Sequence, residues 1–268
     1  MTVEYDFTGQ VVLVTGSGKR IGRQIALDFG RAGARVAVVD IKPSWAQETS
    51  DEISAQGGVA AAFPSDVADP AAVEALVGSV TERLGPVDIL VNNAGIYPNC
   101  PLVEMDIEEW DRVFDLNVRA PFLMCRAVCG QMLARGARGC VINISSGAGS
   151  SARTGGAHYC GSKAALDMLT RVLAIELGPS GVRVVGVAPG LILDEPPLFA
   201  PGPPDNPYVT AILDAIPLQR TGVASDISRL VLWAASEEAE WVTGTVIGVD
   251  GGSQAGRTHL PLSRSARI

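Results

Sequence analysis

Two side chains near the middle of the sequence have the types and the spacing for acid–base chemistry. Tyr159 and Lys163 stand four residues apart, just before an apolar run over residues 164–177 that predicts a helix. On a helix this spacing places both side chains on one face. A positive charge beside a phenol favours the phenolate and lowers the pKa of the phenol. We therefore expect Tyr159 to act as a general acid and base near neutral pH.

A serine precedes this pair and adds a hydrogen-bonding group. Ser146 lies thirteen positions before Tyr159 and ends a predicted strand over residues 139–146. Its hydroxyl can donate a hydrogen bond to a substrate oxygen. The order Ser, then Tyr-x-x-x-Lys, resembles the short-chain dehydrogenase/reductase family. Short patterns such as Tyr-x-x-x-Lys recur by chance, so the interpretation depends on the rest of the chain.

The composition is that of an ordinary globular protein. The 268 residues suit one large α/β domain, which we predict over residues 1–268. The net charge of −8 argues against a nucleic-acid partner. No apolar run approaches the ~18 residues of a membrane span, and residues 1–6 lack the pattern of a signal peptide. These features predict a cytoplasmic protein with no membrane partner.

The potential metal ligands show no pattern that indicates a metal site. The five cysteines are irregularly spaced, and the chain has only two histidines. This distribution predicts neither a disulfide framework nor a zinc site. We therefore expect no bound metal.

A glycine-rich loop between two predicted strands indicates a nucleotide site. Residues 10–15 and 35–40 are short apolar runs typical of buried parallel strands. Between them lie the loop Gly16-Ser-Gly-Lys-Arg-Ile-Gly22 and an amphipathic run over residues 23–32. Glycines let the main chain approach a pyrophosphate, and the free N–H groups at a helix start bind its charge. We predict dinucleotide binding by Gly16, Ser17, Arg20, Ile21 and Gly22.

This loop resembles the family pattern Thr-Gly-x-x-x-Gly-x-Gly. Thr15, Gly16 and Gly22 are in place, but Arg20 stands where the middle glycine would be. The Lys19-Arg20 pair is similar to the pteridine reductases, in which an arginine at this position grips the cofactor phosphate. Ser146 departs from those enzymes, which carry an aspartate at its position.

Charged residues around the second predicted strand bear on the choice between NAD and NADP. Asp40 ends that strand, and an acid there hydrogen-bonds the ribose hydroxyls and repels a 2′-phosphate. Lys19, Arg20 and Lys42 could instead pair with such a phosphate. A carboxylate held ~4 Å from a phosphate costs on the order of 4 kcal/mol per unit charge, which is more than flexible lysines recover. We predict NAD(H), with NADP(H) disfavoured, and include the neighbouring Ile41 in this site.

The resemblance implies further cofactor contacts along the chain. Residues 92–95 read Asn-Asn-Ala-Gly, which matches the family without departure. By resemblance, Asp66 accepts a hydrogen bond from the adenine amino group, and Lys163 binds the nicotinamide ribose. A Pro-Gly pair lies near the nicotinamide, although Asp194 stands where a threonine is usual. The implied cofactor residues are Asp66, Val67, Asn93, Ala94, Gly95, Tyr159, Lys163, Pro189, Gly190 and Ile192.

Asn117 completes the implied catalytic set with Ser146, Tyr159 and Lys163. It lies within an apolar helical run over residues 107–126, where a buried amide needs hydrogen-bond partners. In the family an asparagine here kinks the helix and holds a water that links the catalytic lysine to solvent. We assign Asn117 this proton-relay role by resemblance. The alternative is an exposed side chain on a helix face.

A proline-rich stretch follows the predicted sixth strand. Residues 196–207 contain six prolines, a density that no regular element tolerates. The stretch is either a substrate lid or a long surface insertion, and its place after the Pro-Gly pair favours a lid over residues 191–216. Residues 254–268 form a C-terminal tail. The residues predicted around the substrate are Tyr97, Arg153, Phe199 and Tyr208.

These features predict a doubly wound Rossmann-type domain with a mostly parallel seven-stranded sheet and helices on both faces. The resemblance implies an NAD(H)-dependent oxidoreductase that interconverts a secondary alcohol and a ketone, and a homotetramer. One alternative is a 3-oxoacyl-thioester reductase, but an acidic carrier protein needs a basic patch, for which Arg153 is a lone candidate. The other is a cofactor-sensing protein without catalysis. Such proteins commonly lose the tyrosine or the lysine, which this chain keeps.

Overall fold

The computed structural model of the protein describes residues 4–193 and 207–256, with only the main chain at Pro207 and Tyr208. Several predictions fall outside these residues. They concern Asp194, Phe199, most of the proline-rich stretch, the Tyr208 side chain and the tail beyond residue 256.

Seven strands form one parallel sheet in the order β3-β2-β1-β4-β5-β6-β7. Every neighbouring pair is parallel. The predicted doubly wound fold is therefore confirmed. The strands are β1 (Val11–Thr15), β2 (Arg35–Asp40), β3 (Val59–Pro64), β4 (Ile89–Asn92), β5 (Gly139–Ile144), β6 (Val182–Pro189) and β7 (Val246–Val249).

Eight α-helices connect and cover these strands in the part of the chain that the structure describes. They are α1 (Arg20–Arg31), α2 (Pro43–Ala55), α3 (Pro70–Leu84), α4 (Ile107–Phe114), α5 (Ala120–Ala134), α6 (Ala157–Leu177), α7 (Pro207–Ala215) and α8 (Ala224–Ala235). A π-helical segment, Asp115–Arg119, joins α4 to α5.

The alternation of side chains along buried strands produces two hydrophobic cores. On β1, Val11 and Leu13 point into the core that contains residues of α3, α5 and α6. Val12 and Val14 point into the other core, with residues of α1, α2 and α8. Strands buried on both faces read as continuous apolar runs, which is why β1 and β2 were recognisable in the sequence.

Three helical predictions differ from the structure. Helix α6 begins at Ala157 rather than at residue 164, so Tyr159 and Lys163 lie within its first two turns. The predicted single helix over residues 107–126 is interrupted by the π-helical segment, and its second part continues to Ala134. Helix α7 was not predicted, because the proline density nearby concealed its short apolar pattern.

The carboxyl ends of all seven strands lie at one edge of the sheet because every pair is parallel. The strand order reverses between β1 and β4, and ligands of such sheets bind at this switch point. The loops that follow β1, β4, β5 and β6 therefore converge on one cleft. Among the residues described, no helix has both the length and the apolar character needed to cross a membrane.

Candidate active site

Ser146, Tyr159 and Lys163 come together where β5 ends beside the first turns of α6. The Ser146 hydroxyl lies where it can donate a hydrogen bond to the Tyr159 phenolate, which favours that form. Lys163 is 5% exposed, and its Nζ donates to the carbonyl oxygen of Ile144 at 2.8 Å. This Nζ lies 6.0 Å from the centroid of the Tyr159 ring. The structure thus places these three predicted residues in one cluster.

The pKa of Tyr159 is raised, contrary to the expectation that Lys163 would lower it. Burial is the main cause, and it is opposed by the hydrogen bond from Ser146 and by the charge of Arg153. The Arg153 guanidinium lies 5.0 Å from the Tyr159 ring centroid. The prediction was wrong because desolvation outweighs charge pairing here and because Lys163 directs its ammonium at a carbonyl oxygen.

Burial also governs the ionisation of Lys163. It lowers the pKa of the ammonium to about 8, against a smaller opposing effect of Asp167. Asp167 lies one turn further along α6 and accepts a short hydrogen bond from Ser145, the neighbour of Ser146. Sequence reasoning missed this pair, although the four-residue spacing from Lys163 to Asp167 was an available signal.

Asn117 is fully buried in the π-helical segment and faces the same cluster. Its Oδ1 accepts from the N–H of Ile96 at 2.9 Å, and its Nδ2 donates to the Ile96 carbonyl at 2.9 Å and to Ser162 Oγ at 3.1 Å. A Cβ placed on Gly95 would lie 3.0 Å from Asn117 Oδ1 and 3.8 Å from Lys163 Nζ. The expected helix irregularity is present, and the exposed alternative is excluded.

Two glycines of the loop after β1 leave no room for a side chain. Gly16 has a φ of +62°, and a Cβ there would lie 2.8 Å from the Cα of Ala94. A Cβ on Gly22 would lie 2.2 Å from the Gly16 oxygen and 2.3 Å from Asn93 Nδ2. Asn93 Nδ2 donates to the Gly16 oxygen at 2.9 Å, which ties the loops after β1 and β4 together.

Arg20 adopts a strained backbone conformation at the start of α1. Its φ of +50° lies in the left-handed region, which favours glycine, the residue of the related pattern at this position. Its Nη1 donates to the Tyr97 hydroxyl at 2.7 Å. The Tyr97 ring lies 6.4 Å from the Tyr159 ring, centroid to centroid. Arg20, Tyr97, Tyr159 and Arg153 therefore form a continuous row across the cleft.

Asp40 is buried, and main-chain groups hold both of its oxygens. Oδ2 accepts from the N–H of Gly18 at 3.0 Å, and Oδ1 accepts from the N–H of Lys42 at 3.0 Å. Lys42 places its Nζ 3.9 Å from the centroid of the Trp45 ring. Lys19 pairs with Glu48 at 2.8 Å. No pattern in the sequence indicated that Trp45 would border this site.

The remaining predicted residues are distributed around the same edge of the sheet. Ser17 is buried and links the loop to β2 through the N–H of Val39. Asp66 is exposed and accepts from the N–H of Ala68, whereas the Val67 side chain packs in a hydrophobic core and leaves only its main chain for a ligand. Of the two predicted isoleucines near the loop, Ile21 is half-buried and Ile41 is exposed. Pro189 is the last residue of β6, and the following Gly190 packs on Asp250. Ile192 forms an isolated β-bridge with Gly222.

The residues present fit a nicotinamide dinucleotide. The glycine cradle admits no Cβ at Gly16 and Gly22, so main chain alone faces the space before α1. No side chain caps the first turn of α1, which leaves N–H groups there for a pyrophosphate. A cleft of about 510 Å³ lies beside it, lined by Gly95, Ile96, Tyr97, Pro98, Glu109 and Arg112. Among the residues described, no cluster of three His, Cys, Asp or Glu side chains could hold a metal.

Comparisons with known proteins find matches that cover most of this chain. A family model described as enoyl-(acyl carrier protein) reductase matches residues 16–254. A D-threitol dehydrogenase of Mycolicibacterium smegmatis is 34% identical, over 94% of this chain and 96% of that protein.

Two solved structures are similar over nearly the whole chain. The first is a short-chain type dehydrogenase/reductase from Mycobacterium marinum, with a TM-score of 0.86, 34% identity and coverage of 96% and 100% of the two chains. The second is a 7α-hydroxysteroid dehydrogenase complexed with NADH and 7-oxo glycochenodeoxycholic acid. Its TM-score is 0.85, with 34% identity and coverage of 94% and 98%.

Proposed function

The chain belongs to the short-chain dehydrogenase/reductase family and is an oxidoreductase acting on CH–OH groups, and we propose that it interconverts a secondary alcohol and a ketone with NAD(H). The observation that carries this proposal is the cluster of Ser146, Tyr159 and the buried Lys163 at the end of β5, beside the glycine cradle. The proposed catalytic residues are Asn117, Ser146, Tyr159 and Lys163.

The proposed mechanism divides the reaction between cofactor and side chains. A bound nicotinamide would supply the hydride acceptor in the oxidative direction, held by the loops after β1 and β4. Tyr159 takes the hydroxyl proton of the alcohol onto its phenolate oxygen, and Ser146 donates a hydrogen bond to the substrate oxygen. Because burial raises the pKa of Tyr159, the phenolate is scarce at neutral pH. Oxidative turnover should therefore rise with pH until Tyr159 has ionised.

Lys163 and Asn117 support Tyr159 from the buried side. Lys163 is held by the Ile144 carbonyl, and its ammonium would bind the nicotinamide ribose. Asn117 lies against Gly95 close to Lys163 Nζ and would pass the proton outward through a water. On the open side, Tyr97 and Arg153 flank the Tyr159 ring and are the proposed substrate contacts.

The experiment is a screen of secondary alcohols, polyols, steroids and oxoacyl thioesters, followed by nicotinamide absorbance. The names of the similar D-threitol and 7α-hydroxysteroid dehydrogenases support the choice of polyols and steroids. On an active substrate, Tyr159→Phe should abolish turnover and leave cofactor affinity nearly unchanged. Tyr5→Phe, which changes a tyrosine far from the cluster, is the matched control. Substantial activity in Tyr159→Phe would disprove the mechanism.

NAD(H) is the proposed cofactor because the carboxylate of Asp40 is held in place while the nearby lysines have partners other than a cofactor phosphate. Asp40 is anchored by two N–H groups, whereas Lys19 pairs with Glu48 and Lys42 packs on Trp45. The similar hydroxysteroid dehydrogenase was solved with NADH. We expect kcat/KM for NAD(H) to exceed that for NADP(H) by at least about tenfold, a gap of ~1.4 kcal/mol.

Replacement of Asp40 tests this preference. Asp40→Ser should lower the ratio of kcat/KM for NAD(H) over NADP(H), because the repulsion of a 2′-phosphate is lost. It also removes the acceptors of the Gly18 and Lys42 N–H groups, so affinity for both cofactors should fall. The ratio is therefore the decisive measurement. Asp51→Ser, which removes an exposed acid of α2 that bonds Gln47 rather than Lys19, is the control; an unchanged ratio in Asp40→Ser would refute the assignment.

A 3-oxoacyl thioester is a second candidate substrate. The description of the matching family model names a carrier-protein thioester, with an enoyl rather than a 3-oxo group, and this favours the inclusion of carrier-protein thioesters in the screen. Exclusive activity on such thioesters would replace the secondary-alcohol proposal.

For the molecule as a whole we propose a single domain over residues 1–268 that assembles as a cytoplasmic homotetramer. Residues 191–216 would close over the substrate, with residues 254–268 as a separate C-terminal tail. Support for assembly comes from large apolar side chains exposed on α5 and α6.

A further inference from the structure

His158 is a buried histidine that the proposed mechanism does not use. It directly precedes Tyr159 in the first turn of α6 and has no exposed surface. A buried imidazole needs a hydrogen-bond partner for each of its two nitrogens, and one nitrogen of the neutral ring accepts while the other donates. The partners of His158 therefore reveal its protonation state.

The contacts of His158 select one neutral tautomer. Its Nδ1 lies 2.8 Å from the main-chain nitrogen of Tyr159, which can only donate, so Nδ1 carries no hydrogen. Its Nε2 lies 3.0 Å from Oε1 of Glu109 on α4 and donates to that carboxylate. The imidazole thereby connects the main chain of Tyr159 to a neighbouring helix.

This contact replaces a missing helix cap. The first N–H groups of a helix lack partners within the helix, and an N-cap side chain usually accepts from the third residue. The N-cap of α6 is Gly156, which has no side chain to offer, and the third residue is Tyr159. His158 supplies the acceptor instead.

The carbonyl group of Tyr159 is held as well. Ser162 Oγ donates to it at 2.8 Å and itself accepts from Asn117 Nδ2 at 3.1 Å. Both main-chain polar groups of Tyr159 are thus fixed by side chains, one through α4 and the other through the π-helical segment.

We propose that His158 is a positioning residue for Tyr159, and that protonation of its imidazole releases the Tyr159 main chain from α4. This inference rests on the proposed function for its effect on turnover. A hydrogen on Nδ1 would face the Tyr159 N–H, so two donors would meet and the cap would be lost. Turnover should therefore fall in acid through a step that belongs to His158.

Other charged and titratable groups lie around this contact. Glu109 faces the imidazole directly and is bonded to its Nε2. The side chains of Arg153 and Cys160 pack near Gly156 at the helix start, and Cys100 donates its N–H to the Gly155 oxygen from the loop after β4. Arg112 lies one turn beyond Glu109 on α4 and lines the cleft with it. Of these, only Glu109 has a hydrogen bond to the imidazole in the described part of the chain.

Three variants separate the contributions of the contact. His158→Asn keeps an acceptor near the position of Nδ1 but cannot take up a proton. His158→Ala removes the cap. Glu109→Gln keeps an oxygen acceptor for Nε2–H but removes the charge. None of these changes touches the glycine cradle, so cofactor affinity should stay the same in all three.

Turnover and hydrogen exchange are measured on the full chain. Because it removes the cap, His158→Ala should slow kcat and quicken exchange of the Tyr159 amide by about fivefold each, the factor that corresponds to ~1 kcal/mol. His158→Asn should stay within about threefold of the wild type in both and should lack the acid step. Glu109→Gln should displace the midpoint of that step, because it removes the charge bonded to the imidazole. The wild-type midpoint should match the titration of His158, followed by exchange of the imidazole C2 hydrogen; the chain's second histidine, His259, is the internal reference.

Amide exchange, measured by mass spectrometry with single-residue resolution, needs no substrate and so separates this inference from the proposed function. Unchanged exchange in His158→Ala overturns the inference whether or not a substrate is known. Faster exchange with unchanged kcat overturns the positioning role. An acid step that persists in His158→Asn at the same midpoint overturns the role of His158 protonation. Should His158→Ala fail to fold, the last comparison and the Glu109→Gln shift still decide.

Discussion

Lys163 is buried and Tyr159 is half-buried, and burial shifts the pKa of each toward its uncharged form. The same holds for Asp167, whose pKa is raised by burial against the bond from Ser145 and the charges of Arg171 and Lys163. Ionisable groups shifted by desolvation and held in a cleft are typical of functional sites. Burial of these ionisable groups lowers the free energy of unfolding of the protein.

Lys163 provides a test of this cost. Its pKa is lowered from 10.5 to about 8, so between these values the unfolded chain binds a proton that the folded chain does not. Stability therefore rises with pH across this window, and the full penalty applies below about 8. Lys163→Met should stabilise the protein at pH 7 by about 2 kcal/mol and abolish turnover.

The measurement is urea unfolding of both proteins at pH 7 and at increasing pH. The advantage of Lys163→Met should shrink as the pH rises from 8 toward 10.5, because the cost of releasing the proton of Lys163 on folding falls across this window. Lys42→Met changes a lysine on the exposed loop after β2 and is the control, with little effect expected. A less stable Lys163→Met at pH 7 would contradict the assignment.

At the scale of elements, irregular segments place the functional groups. The π-helical segment puts one extra residue into the turn that carries Asn117, and such segments are frequent at functional sites. The loop after β1 turns at Gly16 and again at Arg20, both with positive φ. These departures from regular geometry are stabilised by contacts between neighbouring elements, such as the bonds from Asn117 to Ile96.

Asn117 tests whether the π-helical segment depends on these contacts. Asn117→Ala removes the hydrogen-bond partner of the Ile96 N–H and of the Ile96 carbonyl, and it removes the donor to the Ser162 hydroxyl. We expect a loss of about 2 kcal/mol in unfolding free energy, measured in urea, together with faster amide exchange over residues 95–97. Arg119→Ala, in the same segment but exposed, is the control. Equal stability of the two variants would show that Asn117 does not hold the segment.

At the scale of the whole molecule, apolar surface remains exposed on the helices of one face. Phe122 and Leu133 on α5, and Met168, Val172 and Ile175 on α6, are 41–78% exposed. Exposed apolar patches of this kind mark association surfaces. Trp241, just before β7, is 97% exposed and does not belong to this helical surface.

The expected assembly is a homotetramer with two-fold axes. Light scattering at micromolar concentration should give four times the 27.9 kDa of one chain. Met168→Glu with Ile175→Glu places charges on the α6 surface and should reduce the mass to that of a dimer, whereas Arg171→Glu, on the same helix and already charged, should disturb it less. A monomer mass for the wild-type protein would refute this prediction.

The sequence alone determined the order of the strands along the chain and which residues carry the acid–base chemistry. Buried parallel strands are continuous apolar runs, so β2 was predicted with its observed ends. Tyr159 and Lys163 could be assigned to one helix face because their spacing matches the helical repeat. These signals are local, and neighbouring residues specify them without reference to the rest of the fold.

Only the tertiary structure decided how distant residues act on these groups. Arg20 meets Tyr97 across 77 positions, and His158 meets Glu109 across 49. The raised pKa of Tyr159 likewise follows from its burial, which outweighs the charges nearby. Burial and contacts of this kind depend on how helices pack on a sheet, and local sequence patterns do not encode that packing. The order of the elements was therefore readable from the chain, whereas the electrostatics of the site required their positions in space.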